Sequence, residues 1–101
     1  MSTRDEGDVL TKKKSKTKKP KLYKVVFLND DYTTMEFVVQ VLETIFHRSP
    51  AEAAAIMLRV HNNGAGVAGV YTKEVAETKI EQTIGWARRE GHPLMLTMEP
   101  E

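Results

Sequence analysis

The sequence predicts an α+β sandwich in the order β-α-α-β-α-β, a three-stranded antiparallel sheet packed against three helices. Two observations carry this. Three short segments are dense in β-branched, aromatic or alternating apolar residues, and three longer ones repeat apolar residues at helical spacing. Between them stand Ser, Thr, Pro and Gly at positions that start and stop helices.

The first strand is Leu22-Tyr23-Lys24-Val25-Val26-Phe27-Leu28, bounded by Pro20 and by Asn29-Asp30-Asp31. Thr33-Thr34-Met35-Glu36 has the Thr-x-x-Glu spacing of a capping box and predicts a helix running to about His47. Its apolar face is read as Met35, Val38, Val39, Leu42, Ile45 and Phe46. Ser49, Pro50 and Glu52 then form a second cap and first turn, with Ala53, Ile56, Met57 and Val60 as the stripe and Gly64 as the stop. Ala65 to Tyr71 reads as a short strand. Thr72 opens a third helix with Ala76, Ile80, Thr83, Ile84 and Ala87 on one face, ending near Gly91. Pro93 to Met98 alternates Leu94, Leu96 and Met98 against Met95 and Thr97, a last strand.

Charge divides the chain. Residues 1–21 carry eight Lys/Arg and three Asp/Glu, a net of +5, and residues 22–101 carry seven against eleven, a net of −4. The first stretch has Met1, Val9 and Leu10 as its only sizeable apolar side chains, too few to offset ordering entropy, so it is expected to be a disordered Lys-rich extension. Residues 22–101 are the expected folded domain. An acidic body argues against a nucleic-acid-binding face. Zero cysteines exclude a disulfide framework, thiolate catalysis and a zinc-thiolate site. No apolar run approaches the ~20 residues of a membrane span, so a cytoplasmic protein with no membrane association is expected.

Three features hold candidate chemistry. Asn29-Asp30-Asp31-Tyr32 lies between a strand and a helix. Such residues make Asx-turns, and they can also accept several hydrogen bonds from one cationic group. His61 stands four residues after Met57 in the last turn of the second helix, where a helix-dipole partner or surface residue is more usual than a ligand contact. Met35 and Met57, with Met95 and Met98, supply flexible side chains suited to core gaps or to adaptable binding surfaces. A ligand with a cationic end and an apolar end fits Met35 beside the acidic loop. Catalysis is not expected, since no nucleophile-base-acid constellation is present and no spacing matches a metal-ligand pattern. A hydrolytic metal site on Asp30 and His61 is the remote alternative. A basic-tailed interaction module of ribosomal or RNA-associated complexes is the nearer one.

The segment Asn29-Asp30-Asp31-Tyr32-Thr33-Thr34-Met35-Glu36-Phe37-Val38 resembles the signature of the ClpS family. Met57-Leu58-Arg59-Val60-His61 with Gly64, the run Gly69 to Lys79, and His92-Pro93-Leu94 agree with it in order, from about residue 22 to 99. The resemblance implies a non-enzymatic, monomeric adaptor without cofactor or metal. It would bind the free hydrophobic N-terminal residue (Phe, Tyr, Trp or Leu) of N-degron substrates and deliver them to the ClpA unfoldase for degradation by ClpP. It further implies that Asn29, Asp30, Asp31, Thr33 and His61 hold the α-amino group and first backbone atoms. Met35, Val38, Met57, Val60 and Leu94 would form the side-chain pocket. Glu74 and Lys79 would contact the N-terminal domain of the unfoldase. Thr34 stands where proline is common in the family.

Overall fold

The structure, a computed structural model, describes residues 19–101. The expected extension therefore falls outside the described residues, apart from Lys19, Pro20 and Lys21, which are exposed and irregular. Strand β1 (Leu22–Leu28) is followed by helices α1 (Met35–Thr44) and α2 (Pro50–Asn63), strand β2 (Ala65–Thr72), helix α3 (Lys73–Arg89) and strand β3 (Met95–Pro100). The architecture is α+β as expected, with one antiparallel sheet in the order β2-β1-β3.

The central strand sets the core. Val25 and Phe27 point to the helices and are flanked by Gly69 and Met98, and by Gly66 and Leu96. The β1–β2 register shifts between Val25 and Val26, leaving Ala68 opposite no partner. The Arg48 Nε donates to the Ala68 carbonyl at 2.8 Å, so a side chain from the α1–α2 connection occupies the acceptor beside the bulge. Helix α3 packs across all three strands, while α2 lies against α1 and β2.

Three local expectations need correction. The last strand runs Met95–Pro100 rather than Pro93 to Met98, leaving Leu94 ahead of it. The cap of α1 is Thr34 rather than Thr33: the Thr34 hydroxyl accepts from the Phe37 amide at 3.1 Å, and the Thr33 hydroxyl turns to Asp30 instead. Thr34 can do this where a proline could not. The helix also stops at Thr44, short of His47, because the chain must leave it to reach the extended Ser49 ahead of Pro50. His47 makes the reversal with φ +54°, and the freed Ile45 carbonyl accepts from Lys79 Nζ at 2.6 Å. The buried face of α1 is Phe37, Val38, Val41 and Leu42, continued by Phe46. Met35 and Val39 sit at its margins.

The second helix follows its sequence signals. Ser49 and Glu52 form a reciprocal capping box, Pro50 opens the helix, and Gly64 closes it at φ +89°. Thr72 occupies the cap position of α3 without a side-chain cap bond. Among the described residues no helix is long and apolar enough to cross a membrane.

The seat of α2 on the sheet depends on Gly66. A Cβ there would lie 2.8 Å from Val60 Cγ2 and 3.2 Å from the Ile56 carbonyl. Gly66→Ala is expected to destabilise the fold by about 1–3 kcal/mol, as overpacking of a close contact does. Urea denaturation measures this, and unaltered stability would mean that α2 slides outward at no cost.

Candidate functional site

A hollow of about 260 Å³ opens where the end of β1, the start of α1 and the last turns of α2 converge. Its polar wall is Asn29, Asp30, Asp31, Thr33 and His61; its apolar wall is Met35, Val38, Met57 and Val60. Nine of the ten residues singled out for ligand contact thus meet around one space. Leu94 is the tenth. It is only 1% exposed, packed in the core, and is not on the hollow's wall.

The polar wall is ordered by Asp30. Its Oδ1 accepts from the Tyr32 amide at 2.8 Å and from the Thr33 amide at 2.6 Å, while Oδ2 accepts from the Thr33 hydroxyl at 2.7 Å. The loop is therefore the Asx-turn that its composition allows. A carboxylate offers about four acceptor positions, so one on Oδ2 remains for a donor in the hollow. Turn-former and ligand acceptor are compatible roles for the same group. Burial, the largest single influence on Asp30, pushes its carboxyl upward. The Thr33 hydroxyl, the Thr33 and Tyr32 amides and the charge of His92 together outweigh it and hold the carboxyl below the ordinary carboxylate range. Asp30 is consequently charged throughout the pH range 5–8.

The two sides of the hollow are tied by the backbone. The Asn29 amide donates to the Gly64 carbonyl at 2.9 Å, which joins the end of β1 to the end of α2 and brings Asn29 near the turn bearing His61. Among the described residues, the side chains of Asn29, Asp31 and His61 have no hydrogen-bond partner. Met35, in the first turn of α1, is 44% exposed at the mouth, and Met57 is half-buried. The arrangement presents a negatively charged acceptor group beside a thioether-lined wall, which suits a cation carrying an apolar substituent. Among the described residues no three His, Asp or Glu side chains gather as a metal ion would require.

Glu74 and Lys79 lie elsewhere. They line a larger hollow of about 600 Å³ between the C-terminal end of α1 and the first turns of α3, with His47, Val75 and Thr78. Lys79 is held in place there. Besides its bond to Ile45, its ammonium stands 5.7 Å from the Phe46 ring centre and 5.3 Å from that of Tyr71. Glu74 is exposed, at the start of α3.

One neighbour of the site was not singled out by sequence reasoning. The His92 ring stacks on Phe37 of α1 with centroids 4.3 Å apart and 28° between planes. The sequence signal was the position of His92 just after Gly91, where a helix end aims its next side chain back at the fold.

The model of the family described as "ATP-dependent Clp protease adaptor protein ClpS" matches residues 18–97. A ClpS adapter protein of Desulfatibacillum aliphaticivorans is 60% identical over 97 residues, covering 96% of this chain and 93% of its own length. One from Phenylobacterium zucineum is 55% identical over the whole of both chains. The structure of Agrobacterium tumefaciens ClpS2 bound to L-phenylalaninamide superposes with a TM-score of 0.78 at 43% identity, spanning 82% of this chain and all of that one. On the family match and these full-length relatives, the chain belongs to the ClpS family of ATP-dependent Clp protease adaptor proteins.

Proposed function

We propose that this adaptor captures proteins by a free, large hydrophobic N-terminal residue (Phe, Tyr, Trp or Leu) and hands them to a ClpA-type unfoldase for degradation by ClpP. The observation that carries the reading is the hollow itself, where the open acceptor of Asp30 and the thioethers of Met35 and Met57 face one space. The Agrobacterium relative bound L-phenylalaninamide. That molecule has a primary α-amine, an uncharged amide in place of a carboxylate and an aromatic side chain, as the first residue of a peptide does.

In this reading Asp30, Asn29 and His61 receive the α-ammonium and the first backbone groups, with Asp31 and Thr33 along the adjoining edge. An α-amino group titrates at about 7.7–8.0, so it is mostly charged at neutral pH. Its hydrogen bond to a carboxylate is roughly twice as strong as a neutral one. His61 serves as a neutral acceptor, since an imidazolium would repel the ligand. Met35, Val38, Met57 and Val60 enclose the side chain, whose burial contributes roughly 1.5–3 kcal/mol. Leu94, the remaining residue proposed for the side-chain pocket, is 1% exposed and packed in the core. Glu74 and the hollow it borders form the face for the N-terminal domain of the unfoldase. Lys79 shapes that face by holding the end of α1.

Titration of one Phe-initiated peptide, free and N-acetylated, tests the reading. Acetylation removes the charge and leaves the Asp30 acceptor desolvated, so a loss of about 2 kcal/mol or more, at least roughly thirtyfold, is expected. Equal affinities would end it.

Asp30→Asn keeps an acceptor for the turn while deleting the charge, and should cost the free peptide about 2 kcal/mol. Asp30→Ala loses at least as much and also frees the Thr33 hydroxyl and both loop amides. Circular dichroism separates loss of binding from loss of fold, and an Asn variant that binds normally would remove Asp30 from the ammonium site.

Glu74→Ala is the cleaner probe of docking than any Lys79 variant, because Glu74 makes no side-chain bond among the described residues. It should leave peptide affinity within about a factor of two, as an exposed substitution usually does, and weaken association with the isolated N-terminal domain of the unfoldase. Parallel losses in both assays would show that the docking face lies elsewhere.

A further inference from the structure

A recess of about 290 Å³ adjoins the hollow between α1 and α2. Its walls are Met35, Glu36 and Val39 of α1 and Met57 of α2. Met35 and Met57 line the hollow as well, and no other residue lines both spaces. The two thioether side chains are therefore the partition between them. Helical spacing explains the arrangement on α1. Val38 follows Met35 by three residues and Val39 by four, so Met35 has two neighbours on the helix surface, one facing each space.

The remaining apolar wall of the hollow has no room to give. Val38 and Val60 are buried in the core, and Val60 already stands so close to β2 that a Cβ on Gly66 would lie 2.8 Å from it. Asp30 is held by the Tyr32 and Thr33 amides and the Thr33 hydroxyl, and has to stay there to meet an ammonium. The methionines differ. Met35 is 44% exposed and Met57 is half-buried. Each is unbranched, with three rotatable side-chain bonds, and exposed side chains change rotamer within picoseconds to nanoseconds. Moving outward, a thioether meets the Val39 side chain in the recess, so its apolar surface stays covered.

We propose that the recess receives the Met35 and Met57 side chains when the bound first residue is the largest, tryptophan. Glu36 and Val39, which do not line the hollow, thereby set the upper size limit of the site. The inference rests on the N-terminal-residue reading of the hollow. A leucine leaves the partition in place, whereas an indole pushes it into the recess. Filling the recess from outside takes away the space that the thioethers need, yet leaves every residue of the hollow as it was. Size selection is then controlled by side chains that the ligand does not touch.

The experiment compares Leu- and Trp-initiated peptides of otherwise identical sequence on the full chain and on its Val39→Phe and Glu36→Phe variants. Each variant brings a ring to the recess, one from a half-buried position and one from an exposed one. Each should hold the Leu-initiated peptide within about a factor of two of wild type and bind the Trp-initiated peptide about tenfold more weakly, as overpacking against a fixed wall does. Glu36→Phe replaces an exposed side chain, so it decides the matter if a ring at position 39 disturbs the fold. In methyl NMR of the wild type, the Val39 methyls should shift with the Trp-initiated peptide several times more than with the Leu-initiated one. An unchanged ratio of the two affinities, equal losses for both peptides, a wild type that binds Leu but not Trp, or Val39 methyls unmoved by the Trp-initiated peptide would overturn the proposal and leave capture of free N-termini intact. Equal binding of the Leu-initiated peptide in its free and acetylated forms would overturn both.

Discussion

In the proposed reading the carboxylate of Asp30 satisfies a loop and leaves room for a ligand at once. Three of its roughly four acceptor positions are taken by the Tyr32 and Thr33 amides and the Thr33 hydroxyl. Those bonds favour the ionised group and hold the carboxylate in place on the wall of the hollow. A free carboxylate on a mobile loop would lose rotamer freedom when it met an ammonium ion. Here that cost is met when the chain folds.

The apolar half of the hollow depends on how closely α2 approaches the sheet. Gly66 allows Val60 and the Ile56 carbonyl to come within contact distance of β2, and the Asn29–Gly64 bond ties the end of the helix to the end of β1. Val60 and Met57 are thereby set opposite Met35 and Val38 of α1. The interhelical gap forms the apolar part of the hollow, so a change of a few tenths of an ångström in the seat of α2 alters its width directly. Methionine on both sides suits such a gap, since an unbranched thioether adapts to aromatic and aliphatic partners alike.

Element order and most boundaries were legible because periodicity and punctuation agree with each other: Ser49-Pro50-Ala51-Glu52 and Gly64 bracket α2, and the Val25–Phe27 run meets Leu94 and Leu96 in the core. The face of α1 was harder. Val38, Val39, Val41 and Leu42 are apolar nearly all round the helix, so spacing could not separate the buried Phe37 and Val41 from the marginal Met35 and Val39. Thr33 and Thr34 are equivalent as caps in one dimension. Asp30 decides between them by claiming the Thr33 hydroxyl. The convergence of Asn29, Asp30 and His61 was accessible through the family motif and not through spacing, because the contact joins residues about thirty positions apart. His92 and the anchoring of Lys79 on Ile45 are products of tertiary packing alone.

The two hollows stand at opposite ends of α1, one at Met35 and Val38 and the other at Thr44 and Ile45. Ten residues of helix separate such ends by about 15 Å at 1.5 Å per residue. Sites farther apart than about 7–10 Å with no shared partner act almost independently. An adaptor needs that independence, because it must keep hold of cargo while it meets a second protein. In the proposed reading size does not decide which hollow takes the small ligand: the larger one is bounded by Lys79, whose ammonium is already bonded to the Ile45 carbonyl, and its carboxylate, Glu74, has no side-chain hydrogen bond among the described residues to anchor it. The smaller hollow couples a fixed negative charge to a deformable apolar wall. The larger one is, in the same proposed reading, the face that another folded domain covers.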